Sequence, residues 1–555
     1  MSRNYQTLVM PYRASPDQSS EHPVRHPVVV IGAGPVGLAT AIDLAQQGVP
    51  VVLLDDDDRL STGSRAICFA KRTLEIFDRL GCGQPMVDKG ITWNVGKVFL
   101  KDEPLYSFNL LPESGHARPA FINLQQYYVE GMLLDRAEQL PTLDIRWKNK
   151  VTGVIQTADY VELEIDTPDG PYKVQTEWLV AADGGRSPVR GFLGLESKGQ
   201  IFRDRFLIAD IKVEADYPAE RWFWFDPPFH PNQSVLLHKQ PDNVWRVDFQ
   251  LGWDADPAAE REPERVIPRV KALLGDETPF ELEWVSVYTF VCLRMDQFRH
   301  GRVLFAGDSA HGVSPFGARG ANSGVQDADN LAWKLRLVIS GQAAETLLDS
   351  YNAERVFAAD ENILNSTRST DFITPKNAAS HAFRDATLEL ARNYNFARRL
   401  VNSGRLSTPS TYVHSALNTP DADTFTGNMV PGAPASDAPI SVNSKSDWLL
   451  NQVGGEFSGL YFTDTGEFPD GHSTALYDLE AGDIPVRTIV VVPVGTKGPD
   501  GMRVVEDVSG LARERFDATP GTFYLLRPDQ HVCARWRAFD ANAVRSALLR
   551  ATANA

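Results

Sequence analysis

Cysteine is scarce: the four in 555 residues, Cys68, Cys82, Cys292 and Cys533, stand far apart, with no Cys-x-x-Cys and no metal-ligand spacing. That excludes a disulfide framework and dithiol chemistry, and it points to a reducing cytoplasm. Cys68 and Cys292 sit among apolar neighbours and read as inert core thiols. Long hydrophobic runs are also missing. No stretch reaches the ~18 apolar residues of a membrane helix, and the first residues carry prolines and charges where a signal peptide has an apolar core. Positive charge is in deficit: the net charge of −17 argues against nucleic acid or an anionic membrane as partner. Internal repeats are absent. What is left is a globular composition, 43% hydrophobic and 23% charged, in a chain long enough for roughly three or four domain-sized units.

Three glycine–acid turns stand out, each after an apolar run. Gly32-Ala33-Gly34-Pro35-Val36-Gly37 follows Val28–Ile31, Asp183-Gly184 follows Trp178–Ala182, and Gly307-Asp308 follows Val303–Ala306. A continuous apolar run is the pattern of a parallel strand buried on both faces. In the first turn Gly32 permits the bend, Gly34 lets backbone approach a pyrophosphate, and Gly37 lets helix pack on strand. Pro35 suits a first helical turn; Leu38, Ala41, Ile42 and Ala45 form an apolar stripe, and Gly48 stops the helix. Val51–Leu54 is the next strand, and Asp55 ends it, about 20 residues beyond the glycines, where an acid bonds an adenosine ribose. One such motif does not separate NAD from FAD. The two later turns do, because a dehydrogenase has no need of them, and the reading is an FAD enzyme.

Strand and helix patterns alternate from about residue 27 to 365, as in a doubly wound α/β sheet. The expected division is a flexible arm over 1–26, a Rossmann-like nucleotide domain over 27–90, 121–190 and 300–365, and an inserted mixed β-sheet domain over 91–120 and 191–299. The insert is rich in aromatic and β-branched residues such as Trp222–Phe225, Val235–Leu237 and Val244–Phe249. Residues 366–429 read as one amphipathic helix, with Phe383, Leu390, Tyr394 and Ala397 on its face, followed by a linker over Ser407–Asp423. The tail, 430–555, forms a separate unit with strands at Thr488–Val492, Phe523–Leu526 and Val532–Trp536 and a helix near Asp540–Arg550.

These motifs resemble the single-component class A flavoprotein monooxygenases that hydroxylate phenols. They have the para-hydroxybenzoate hydroxylase fold, in its longer branch with a thioredoxin-like C-terminal domain. The similarity covers about 27–365 strongly and 430–555 weakly. Ser64-Arg65-Ala66 resembles the family segment that brings an arginine to the pyrophosphate, here Arg65. Gln126, with Glu130 and Leu133, resembles the helix whose glutamine contacts the flavin chain. Asp183 through Arg190 is similar to the motif serving both FAD and NAD(P)H, and Asp308 to the acid on the ribityl hydroxyls. Pro315 through Asn322, including Gly320 and Ala321, resembles the helix start that meets the isoalloxazine ring. One departure is that Gly317-Ala318-Arg319-Gly320 replaces the usual Gly-Gly-Gln-Gly; Ala318 stiffens the turn and Arg319 adds a cation near the flavin.

The resemblance implies NADPH or NADH as co-substrate, O2 addition at flavin C4a, and delivery of OH from that hydroperoxide to a phenolic small molecule. It implies no metal, a cytoplasmic setting, and a homodimer as one assembly. On the insert, Tyr288 either bonds the substrate oxygen or packs in its strand. Arg246 either takes the place of a carboxylate-binding arginine or pairs with Asp248 two residues on. His238 is either a proton carrier or structural, and His311 reads as holding the loop after Asp308. The tail, lacking Cys-x-x-Cys, takes a structural or oligomeric role. Two rivals are a flavin-dependent halogenase, from Trp222-Phe223-Trp224-Phe225-Asp226-Pro227, and a flavin-bound protein without turnover.

Overall fold

A computed structural model describes residues 3–63, 65–214, 217–401 and 406–554, so Ser64 lies outside the described residues. Five parallel strands order the first sheet: Val303–Phe305, Tyr172–Ala181, Val24–Ile31, Val51–Leu54 and Leu143–Arg146. Val28, Val29 and Val30 are fully buried, because helices cover both faces of such a sheet. The helix Pro35–Gln46 starts at Gly34 with proline in its first turn, and packs against the long helix Gly320–Ile339. Among the described residues, no helix is long and apolar enough to cross a membrane.

The expected flexible arm is instead laid onto this sheet. Met10 is buried in the core, Val9 bridges to Arg59, and Asp17 pairs with both His26 and Arg146 at 2.8 Å. A few anchoring side chains suffice to dock a segment whose overall composition is polar. The first strand accordingly begins at Val24.

The second sheet has eight strands, in the order His311–Gly312, Glu281–Met295, Ser197–Lys212, Val244–Leu251, Ser234–Lys239, Arg221–Phe225, Val95–Leu100 and Glu103–Asn109. All neighbours pair antiparallel except Arg221–Phe225 with Val95–Leu100. Period-two alternation divides its faces. Leu207, Ala209, Trp245 and Val247 point outward onto the helix Pro263–Leu274, through Val266 and Val270. Phe206, Ile208, Asp210, Leu236, His238, Arg246 and Asp248 point the other way, into a cleft against the first sheet.

Beyond the long helix Leu347–Ile373 stand two helices, Ala378–Ala391 and Asn395–Val401, where one was expected. The face is also reversed. Phe383, Leu390 and Tyr394 are exposed, while Arg384, Thr387, Leu388 and Ala391 are buried along with Ala397. Apolar content alone misassigned the face, because the buried side is filled by small and amphipathic side chains. The expected linker is a pinned strap: Tyr412 and Leu417 are buried, and the Tyr412 hydroxyl accepts from Arg355 at 2.6 Å.

The C-terminal unit is a thioredoxin-like α/β layer around a seven-stranded sheet. Its centre is Arg503–Asp507, Val486–Pro493 and Phe457–Phe462 in parallel, extended by antiparallel Phe523–Leu526 and Val532–Trp536. The last helix, Ala541–Ala551, is capped by Asp540. The unit is joined to the nucleotide domain by buried charge: Arg527 bonds Glu354 at 2.6 and 3.1 Å, and Lys334 bonds Glu354 at 2.8 Å. Arg72 reaches Asp329 at 2.9 Å as well as the Asp529 carbonyl and Gln530.

Candidate active site

A cleft of about 1480 Å³ runs between the first sheet and the inner face of the second. The glycine turn forms one end. Gly32 has φ of +100°, and a Cβ there would strike the Ala182 carbonyl at 2.4 Å. At Gly34, by contrast, a Cβ would meet no protein atom, so the free space faces the cleft and admits a close-approaching phosphate. Pro35 and Val36 line the cleft beside it, whereas Gly37 does not: its Cβ would collide with the Gly32 carbonyl at 1.8 Å, the close helix–strand contact its position requires. Asp55 accepts from the Ala33 N–H at 2.5 Å and the Asp57 N–H at 2.9 Å. Burial pushes its carboxyl up to about 6, against the pull of those two amides.

Gln126 and Glu130 brace the opposite wall. Gln126 accepts from the Ala66 N–H at 3.0 Å and donates to Ser61 and Glu130, fixing the loop that carries Arg65 into the cleft. Asp183 accepts from the Val189 N–H at 3.0 Å, while its Oδ1 is buried without a partner among the described residues. Arg190 donates to the Ser309 carbonyl at 2.8 Å and so ties the second turn to the third.

In the third turn Gly307 faces the helix Pro35–Gln46 and not the cleft; a Cβ would meet Val36 at 2.9 Å. Asp308 does open to the cleft, and burial raises its carboxyl above the ordinary range. His311 sits behind it, bonded to Asp327 at 2.7 Å, and Asp327 also holds the Gly307 N–H at 2.8 Å and Arg355. Pro315, Gly320, Ala321 and Asn322 frame the cleft at the start of Gly320–Ile339. Free N–H groups there favour an anionic ring edge. Asn322 donates to the Cys68 carbonyl at 2.9 Å and accepts from the Ala70 N–H at 2.8 Å, locking helix start to sheet. Ala318 sits at φ +52°, a left-handed position where glycine is the unstrained choice. Arg319, expected to add a cation near the flavin, lines the cleft beside Gly320 and donates to the Phe316 carbonyl at 2.8 Å and to Ser366. An open glycine, a half-satisfied Asp183 and an Asp308 that faces the cleft with no hydrogen bond among the described residues fit an extended dinucleotide such as FAD.

The substrate-side residues stand in cross-strand rows. His238 lies opposite Arg246, Arg246 opposite Asp210, and Asp210 opposite Trp284. The next row is Leu236, Asp248, Ile208 and Ser286. The expected Arg246–Asp248 pair does not form: Arg246 Nε and Nη2 donate to Asp210 at 2.8 and 3.0 Å. A residue directly across the ladder is nearer than one two along the strand. Asp248 Oδ1 is left buried and unpartnered, and burial pushes its carboxyl up to about 6 although Arg246 and Arg221 oppose this. His238 is buried, with Nδ1 4.0 Å from the Cys68 thiol; burial, Arg221 and Arg246 hold it well below its usual pKa, hence neutral. Tyr288, opposite Phe206, is 39% exposed and opens into the cleft. Phe206, Phe290 and Phe316 close the wall nearest the helix start, with ring centres 4.9–5.1 Å apart.

Sequence reasoning missed Arg221, which lines the cleft, and the partnership of Asp210 with Arg246. Only strand alternation pointed that way: Arg221 is two residues before Phe223 and shares its face. The same alternation explains the aromatic motif behind the halogenase reading. Trp222 and Trp224 pack outward with Phe99, away from the cleft.

Comparison with known proteins agrees with this geometry. The family described as FAD binding domain matches residues 25–366, and the one described as HcaD C-terminal domain matches 469–551. The chain is 26% identical over 521 residues to a 3-(3-hydroxy-phenyl)propionate/3-hydroxycinnamic acid hydroxylase of Mycolicibacterium smegmatis, across 91% of this chain and 89% of that one. It is 33% identical over 382 residues to a probable NADH-specific resorcinol 4-hydroxylase of Rhodococcus jostii, across 66% and 69%. Among solved structures, the flavin-dependent monooxygenase PieE in complex with FAD and substrate shares the fold, with a TM-score of 0.81 at 20% identity over 96% and 100% of the chains. The p-nitrophenol 4-monooxygenase PnpA of Pseudomonas putida gives 0.62 at 28% identity over 68% and 97%.

Proposed function

Because the chain belongs to the class A FAD-dependent aromatic hydroxylases, we propose that it is a single-component monooxygenase that uses NAD(P)H and O2 to hydroxylate a phenolic small molecule. The observation that carries this reading is one continuous cleft, with a dinucleotide cradle at one end and an enclosed face of polar and aromatic side chains at the other. When bound, FAD supplies the redox chemistry that couples a nicotinamide hydride to the activation of O2. Gly32, Gly34, Arg65, Asp55, Gln126, Asp183 and Asp308 would hold it, with Pro315 and Gly320 to Asn322 at its ring. The sequence holds a single Gly-x-Gly-x-x-Gly, which supports a nicotinamide that visits the same cleft.

The protein's own residues exclude water and orient the ring. Phe206, Phe290 and Phe316 wall off solvent, which would divert reducing equivalents to H2O2. Tyr288 opens into the cleft and flanks the ring beside the aromatic wall, while Arg246, held by Asp210, shapes the floor. The test is NAD(P)H oxidation by the flavin-loaded protein with resorcinol, 4-nitrophenol or 3-(3-hydroxyphenyl)propionate under isotopically labelled O2. At least one phenol should accelerate oxidation severalfold and emerge with one labelled oxygen. Product oxygen drawn only from water would sink the reading.

A further inference from the structure

Two charged groups on the inner face of the inserted sheet lack a protein counter-ion. Arg221 begins the strand Arg221–Phe225 and opens into the cleft, and no carboxylate of the described residues pairs with it. Asp248, two strands away, accepts no hydrogen bond from the described residues, and its Oδ1 is sealed from solvent. The two are close enough to feel each other's charge without touching. Their neighbour Arg246 shows what a satisfied cation in this sheet looks like, with two bonds to Asp210. Unpaired charges shielded from water are costly, so two left open on one wall of a cavity call for a ligand that completes both.

Resting on the hydroxylase reading, we propose that the substrate's ring hydroxyl docks between Arg221 and Asp248, that Asp248 accepts its proton, and that Arg221 holds the resulting phenolate. The step is a proton transfer alone: the phenol O–H bond breaks, an O–H bond forms on the Asp248 carboxylate, and no electrons change hands. A hydroxyl fits this gap because it donates and accepts at once. A carboxylate substituent would satisfy Arg221 but meet Asp248 with like charge. Burial raises Asp248 to about 6, toward the proton it must take, and the nearby guanidinium lowers the cost of the phenolate. Facing Asp248 are Arg221 and His238 on the strands beyond, Arg246 on its own strand, Asp210 on the other side, and Cys68 from the small sheet Cys68–Ala70. His238 stays neutral and burial lifts the Cys68 thiol to about 11, so neither competes with Asp248 for the proton.

The test uses the flavin-loaded protein with 4-nitrophenol, whose ionised form is read by its visible absorbance. Binding to the natural sequence should lower the probe's apparent pKa by about one unit or more, and Arg221→Gln should reverse that shift. With resorcinol, Asp248→Asn should lose on the order of 100-fold in coupled hydroxylation near neutral pH. The loss should close as pH rises toward the phenol's own pKa, where substrate arrives already ionised, a profile that a merely structural role would not give. Bound flavin per chain reports folding. If either variant loses flavin, Arg221→Lys and Asp248→Glu must keep part of the probe shift and the activity. Unchanged probe ionisation and pH profile in variants of an active hydroxylase would overturn this assignment alone. An Arg221-dependent probe shift with no labelled product from any phenol would overturn the hydroxylase reading and leave the docking pair standing.

Discussion

At the seam between the nucleotide domain and the C-terminal unit, Glu354 takes two bonds from Arg527 and one from Lys334, and every oxygen of Asp329 is claimed by Arg72 or Arg79. Across the inserted sheet, Arg221 and Asp248 have no such partners among the described residues. The seam charges are fully buried and Arg221 and Asp248 half-buried, and the sharper difference is pairing. Arg527 and Lys334 pull Glu354 well below the usual carboxylate range in spite of its burial, while Asp248 is driven the other way. A charge network closed on itself holds structure, and one left open toward a cavity is placed for a ligand. The C-terminal unit is therefore tied to the nucleotide domain through a closed network of buried charge.

The largest test of this contrast is at the seam. Glu354→Ala leaves Lys334 without its carboxylate and Arg527 with Asp529 alone in a dry interior, and should cost about 3–5 kcal/mol of stability, seen as earlier thermal unfolding and flavin release. A loss below about 1 kcal/mol would mean that the seam is not the closed network described.

Asp248→Asn should act in the opposite direction. A carboxyl raised to about 6 in the folded state, above its ordinary value of about 3.9, favours folding at low pH and loses that advantage as pH climbs through 6. The asparagine variant should thus gain on the natural sequence between about pH 4 and 6 and hold a constant lead above, on the order of 3 kcal/mol at most. Unfolding midpoints at pH 4.5 and pH 7.5 compare them, and a lead that shrinks with rising pH would contradict an unpaired Asp248.

The smallest effect belongs to the turn between the two regions. Ala318→Gly relieves a left-handed backbone at φ +52° and should stabilise by about 1 kcal/mol or less, since glycine also gives up more freedom on folding. Thermal unfolding with and without FAD would show whether that strain is released when the cofactor binds, in which case the gain is confined to the flavin-free protein.

The flavin end was readable from the chain because it is made of local backbone. Gly32, Gly34 and Asp55 lie within one strand–turn–helix–strand unit, where geometry follows from neighbours in sequence. The faces of Ala378–Ala391 were not readable, because which side of an amphipathic helix is covered depends on what packs there. The arm and the strap around Tyr412 were misjudged for a related reason: their anchoring residues are few and their partners are far away in sequence.

The sequence by itself determined the cofactor, the parallel sheet that carries it, and the lack of a redox Cys-x-x-Cys in the tail, since each rests on a contiguous motif or on its absence. Only the tertiary structure decided that Arg246 belongs to Asp210, that Arg221 and Asp248 share one face of the inserted sheet two strands apart, and that the tail's Arg527 completes Glu354. Those partners sit 36, 27 and 173 residues apart, differences of 246 and 210, 248 and 221, and 527 and 354. A charge finds its counter-ion through strand register and domain docking, which no local pattern encodes.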